Sequence, residues 1–238
     1  MIYYVVMSIK EALKTPSNTD ELKQLYKDNG LVYYTPKEEL FNSISHGLGA
    51  AAALVFMIFM LLKANSAASY ATAVLSCAMI AFEFTVSAIY HGVTDMRKKL
   101  LWRTLDFPSV NLTVIACATA TCLLYNNVYG YVALGLSVAI AIVIFALCIY
   151  KFSVFRKVSV ASTFLIGGLM FAAFFTAYFS EKGISFETSM VYLAGLASCL
   201  LGAAVFGVHK RYVHCLFHVF VLVGPILFLV ATYLQIIA

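Results

Sequence analysis

The sequence predicts an all-α polytopic membrane protein, a seven-transmembrane helix bundle with its N-terminus in the cytosol. Three observations predict it. The 238-residue chain is 63% hydrophobic and 11% charged, with a mean hydropathy of +0.92, where a soluble globular domain carries about 25% charged residues. Seven apolar runs follow one another, near residues 44–62, 68–91, 106–125, 129–150, 159–179, 189–207 and 213–236, each close to the ~20 residues a spanning helix needs. The third observation is the placement of Lys and Arg. Lys10, Lys14, Lys23, Lys27 and Lys37 precede the first run; Arg97, Lys98, Lys99 and Arg103 lie between the second and third; Lys151, Arg156 and Lys157 between the fourth and fifth; and Lys210 and Arg211 between the sixth and seventh. Only Lys63 and Lys182 fall on the other side, so 14 of the 16 basic residues share one side, the pattern of cytosolic loops. The net charge of +5 is therefore a membrane-topology signal and not a nucleic-acid one.

The elements follow in order. Residues 1–36 form a polar cytosolic arm and residues 37–238 the membrane domain. The arm carries charges throughout, is punctuated by Pro16 and Gly30, and holds a short helix near Asp20–Lys27. Met1 to Ile9 is apolar but lacks the basic start and cleavage site of a signal peptide. Thr35-Pro36-Lys37-Glu38 starts the first long helix: Thr35 caps, Pro36 suits the first helical position, and Glu38 completes a capping box. Asn126-Asn127 makes a tight turn between spans three and four, and Ser153–Ser159 separates spans four and five. The Gly167-Gly168 pair and the stretch from Gly195 to Gly202 read as small-residue surfaces for close helix packing. Asn111-Leu112-Thr113 fits a glycosylation pattern, but inside span three no transferase reaches it. The six cysteines lie in or beside apolar runs without paired spacing, and read as small core residues.

The polar residues within the spans carry the chemistry. His214 and His218 are four apart on the last helix, one above the other. Imidazoles entering a span are costly unless something binds them. A metal ion is one such partner, and water or a carbonyl near the membrane surface is the other. The topology places His46, His91, His209, His214 and His218 toward the cytosolic face, with Asp106 opening span three beside them. His91, His214 and His218 match a three-histidine zinc site with an open fourth position. Asp106 is then placed to orient water or shuttle its proton. Ser87, one turn before His91, is a second candidate catalytic residue that would bond the attacking water or a substrate carbonyl; the alternative is a bond back to its own helix. Glu83, one turn deeper, reads either as a functional acid or as a hydrogen-bonded contact between helices. His46 covers the site entrance or bonds the headgroup region, the remaining alternative being a fourth ligand, and His209, beside Lys210-Arg211, reads as a loop residue.

These residues resemble a known family. Glu38-Glu39-Leu40-Phe41-Asn42 with Ser45-His46 and Gly49, then Ser87-Ala88-Ile89-Tyr90-His91, then Asp106, then His214 and His218 followed by Val219-Phe220-Val221, are similar to the motifs of the hemolysin III family, the bacterial branch of the progestin and adipoQ receptor superfamily. The resemblance runs from about residue 35 to 234. Span three departs from it: where the family usually has a histidine after the aspartate, Phe107-Pro108-Ser109-Val110 follow here. The resemblance implies zinc held by His91, His214 and His218, with Ser87 and Asp106 beside it. Members are described as receptors, as lipid amide hydrolases of the ceramidase type and, in the bacterial branch, as cytolysins. The expected function is a zinc-dependent hydrolase of a lipid amide or ester, in the plasma membrane with the C-terminus outside and a membrane lipid as substrate or ligand. The alternatives are a receptor with structural zinc and a cytolysin-like protein.

Overall fold

A computed structural model describes residues 19–28, 30–180, 183–208 and 210–238. His209 and the first 18 residues of the arm lie outside the described residues. Seven helices are present among them: α1 Thr19–Asp28, α2 Pro36–Lys63, α3 Ala67–Gly92, α4 Met96–Leu123, α5 Val128–Tyr178, α6 Phe186–Phe206 and α7 Val213–Ile237. All but α1 are long and apolar enough to cross a membrane. The chain is therefore an all-α, polytopic membrane protein.

Local signals account for the helix starts. Thr35 caps α2 with a full capping box to Glu38, and Pro36 is its first residue. Ser66 and Ser69 form the equivalent box on α3. Asn126, at φ 48, makes the turn into α5, and Asn127 caps it. The left-handed region suits asparagine, whose short side chain bonds locally.

Two boundaries differ from the sequence reading. Helix α4 begins at Met96, not near residue 106, because Asp95 caps it by accepting from the Lys98 amide at 2.9 Å. Asp106 consequently sits well inside the helix. The expected loop at 153–159 is helical, and the break falls instead at Lys151, whose φ of −156° and ψ of 77° interrupt α5. The 51 residues of α5 still supply two passes. Gly130 packs on the Cys122 backbone and Ser162 bonds Asn111. A straight helix would carry those two contacts about 48 Å apart, against about 16 Å between their partners on α4. The chain thus doubles back at Lys151.

Helix α4 is the hub. In its apolar stretch 67% is buried, against 28–56% in the others. It packs on α3, on both halves of α5 and on α7. Its Asn111 donates to Ser162 Oγ at 2.9 Å and accepts from Thr163 Oγ1 at 2.7 Å, so the residue of the glycosylation pattern is a fully buried interhelical tie. Large apolar side chains such as Leu48, Ile58, Leu62, Ile142 and Phe164 are exposed, as lipid-facing surfaces require. All six cysteines are free thiols, and all but Cys199 are buried.

The glycine expectations divide. Gly195 and Gly224 bring α6 and α7 together: a Cβ on Gly224 would lie 3.0 Å from the Gly195 carbonyl oxygen and collide with Cys199 Sγ. Gly202 lies under Val221 and Phe220 of α7. Gly167 and Gly168, in contrast, make no close approach; Gly168 faces open space. Alanine normally favours a helix over glycine by about 1 kcal/mol. Gly224→Ala is nonetheless expected to destabilise by about 1–3 kcal/mol through overpacking, read as a lower thermal midpoint in detergent, while Gly168→Ala leaves the midpoint unchanged or raises it.

Candidate metal centre

Three helices deliver the centre. His91 ends α3, His214 and His218 occupy the first two turns of α7, and Asp106 comes from α4. The chain enters α7 through Tyr212 in the left-handed conformation (φ 62°), its amide donating to Glu38 Oε1 at 2.7 Å. That contact fixes the start of α7 against the start of α2 and so sets the height of both histidines.

The three imidazoles converge. His218 Nε2 lies 3.2 Å from His91 Nε2 and 3.3 Å from His214 Nε2, and one ring nitrogen of each lies within 4.8 Å of the others. The rings are buried, with 1% exposure at His218 and 3% at His91. These separations suit a metal. A tetrahedral ion with Zn–N bonds of 2.0–2.1 Å holds its ligand atoms about 3.3–3.4 Å apart. Hydrogen bonding alone serves the cluster poorly: a proton on His218 Nε2 can be shared with one neighbour, not both, and His218 Nδ1 has no partner. A cation at the centre satisfies all three nitrogens. The cluster is thus capable of coordinating a metal.

A half-buried carboxylate stands behind it. His91 Nδ1 donates to Glu39 Oε2 at 2.5 Å, which leaves the Nε2 lone pair facing the cluster. The other Glu39 oxygen pairs with Lys99 Nζ at 2.7 Å. Lys99 is 1% exposed and also donates to the Tyr90 and Val93 carbonyls. One ion pair therefore ties α2, α3 and α4 together and orients a ring of the cluster. Sequence reading missed this role. Glu39 looks like an ordinary acid in a first helical turn, Lys99 like a loop lysine, and the partners are far apart in the chain.

The remaining candidates gather around the same space. A cavity of about 240 Å³ is lined by His46, Glu83, Ser87, Asp106 and the three histidines, and elsewhere mainly by apolar side chains. Arg103 donates to Asp106 Oδ2 at 3.2 Å, and the Ser87 hydroxyl faces the same carboxyl. His46 is fully buried, its ring tilted against that of His218 with centroids 4.0 Å apart, and neither of its ring nitrogens has a hydrogen-bond partner. It sits beside the cluster, not at a surface entrance. Tyr34 lies stacked on His214 at 4.3 Å; burial pushes its phenol well above the ordinary range, partly countered by Arg103. A second cavity, of about 280 Å³, also reaches Tyr34 and His214 and carries Lys23, Lys210 and Arg211 in its wall.

Fold and site thus define a polytopic membrane protein with a buried three-histidine cluster at one end of its bundle. The family model described as "Haemolysin-III related" matches residues 34–229. The chain belongs to that family. It is also similar to a protein of Bacillus subtilis (strain 168) described as "Hemolysin-3 homolog", 26% identical over 199 residues that cover 80% of this chain and 91% of the relative. No solved structure matches.

The Glu39 arrangement has a measurable consequence. Loss of such a carboxylate typically costs 10–100-fold in metal affinity. Glu39→Ala is expected to lose metal to a competing chelator at correspondingly lower chelator concentration than the wild type, with all three histidines in place. Unchanged metal retention would show that Glu39 does not orient His91.

Proposed function

We propose that this protein is a zinc-dependent hydrolase of a lipid amide or ester, of the type found in the progestin and adipoQ receptor superfamily. The observation that carries the reading is the position of the three-histidine cluster at the head of a largely apolar cavity that also holds Ser87 and Asp106. His91, His214 and His218 would hold the ion, which supplies Lewis-acid polarisation of a carbonyl and acidifies water.

The chain's own residues divide the remaining work. The apolar walls from Val110, Val114 and Val221 bind an acyl chain and exclude water. Ser87 is placed to orient the carbonyl. Asp106, held by Arg103, takes the proton of the attacking water as the new C–O bond forms. It returns that proton to the leaving nitrogen or oxygen as the C–N or C–O bond breaks. The basic cavity beside His214 gives water and the leaving headgroup a path to the surface. The orientation proposed is N-terminus in the cytosol of a plasma-membrane protein, from the 14-to-2 division of basic residues. The site then faces the cytosolic leaflet, and lysis of the kind the family name describes would follow indirectly from altered lipids.

A second reading is favoured by the ties the cluster makes. With Glu39 and Lys99 it joins α2, α3, α4 and α7, as a structural zinc in a receptor would. Asp106 separates the two. Wild-type protein purified without chelator is expected to contain about one zinc per chain, lost in His214→Ala/His218→Ala. Asp106→Asn is expected to retain zinc and lose about 10²–10⁴-fold in hydrolysis of lipid amides. Folded wild-type protein without zinc would sink the hydrolase mechanism, and full function in Asp106→Asn would favour the receptor.

A further inference from the structure

The metal centre does not use Glu83. This acid lies on α3 two turns from His91, with Ser87 between them, so the three share one face of the helix. The spacing puts Glu83 about 12 Å further along the axis. It is 5% exposed and lines the same cavity as the histidines, at a level where Thr113, Cys117 and Cys199 form the wall. Thr113 Oγ1 donates to its Oε2 at 3.4 Å, a long contact for such a pair. A carboxyl in these surroundings is costly unless well bonded, and Arg103, the cation of this cavity, is engaged with Asp106. As a contact between helices Glu83 is poor. Asn111 in the same protein does that work with two bonds of ordinary length.

We propose that Glu83 and Thr113 form a second polar subsite within the acyl cavity, and that it takes a hydroxyl on the buried chain of the lipid. The hydroxyl donates to the Glu83 carboxyl and accepts from Thr113. The subsite's depth places that hydroxyl roughly nine or ten carbons from the carbonyl held at the histidines. The ligand class is therefore a lipid carrying a mid-chain hydroxy-acyl group. The inference rests on the hydrolase reading only in putting the acyl carbonyl at the metal centre.

The test is binding, not turnover. Full-length wild-type protein is reconstituted in phosphatidylcholine nanodiscs, and its thermal midpoint is titrated with stearic acid and with the 5-, 10- and 16-hydroxystearic acids. The 10-hydroxy acid is expected to bind about 10-fold more tightly than stearic acid and than the other isomers, the worth of one hydrogen bond made in an apolar site. Glu83→Leu is expected to abolish or reverse that preference at unchanged metal content. Equal binding of all four acids by the wild type, no binding of any, or a preference that survives in Glu83→Leu overturns the proposal. Should Glu83→Leu not fold, the isomer series on the wild type decides alone. A clear preference without any lipid hydrolysis would defeat the hydrolase and leave the subsite standing; hydrolysis with no preference would do the reverse.

Discussion

Three imidazole nitrogens within hydrogen-bonding distance, buried at one end of a membrane bundle, are the constraint around which this structure is arranged. Neutral rings cannot all be satisfied by one another at 3.2 and 3.3 Å, and burial makes the shortfall expensive. The geometry persists because one ring is held from behind and the helix carrying the other two is held at its start. Glu39 fixes His91, Lys99 fixes Glu39, and the Glu38 contact to the Tyr212 amide fixes the helix carrying the other two. Adjacent acids on α2 thus serve two different helices. Glu38 is further held by Thr35, so a capping box that looks purely local also anchors the entry to α7.

Much of this was legible in the sequence, for identifiable reasons. Histidine is rare in apolar spans, so the pair at 214 and 218 stood out, and the topology read from lysine and arginine brought His91 to the same end. The capping box at Thr35 and the turn at Asn126-Asn127 use local chemistry that any reader of the chain can see. Glu39 and Lys99 were hidden because their partners are non-local: His91 is 52 residues from Glu39, and no periodicity reports such a pair. Hydropathy places the start of α4 too late because it finds the apolar core of a helix and not its capped, charged first turns. The reversal at Lys151 escapes hydropathy for a related reason. The polar stretch after it marks where the chain leaves the apolar phase, whereas the break needs only one residue out of helical conformation.

Satisfaction of polar groups separates scaffold from site within the bundle. In hydrocarbon a polar side chain must find a partner inside the protein. Asn111 does so completely, through Ser162 and Thr163, and it holds α5 on α4. Hydroxyls on a helix have the option of bonding a carbonyl one turn back, as Thr119 does with Ile115. An imidazole or carboxyl lining a cavity has no such local exit. His46, with neither ring nitrogen bonded, and Glu83, with one long contact, are costly in a purely structural account. Both face the cavity that begins at the histidine cluster. Their cost is understandable if the cavity's usual contents supply the missing partners, which makes this interior a place built for a molecule with polar groups at more than one depth.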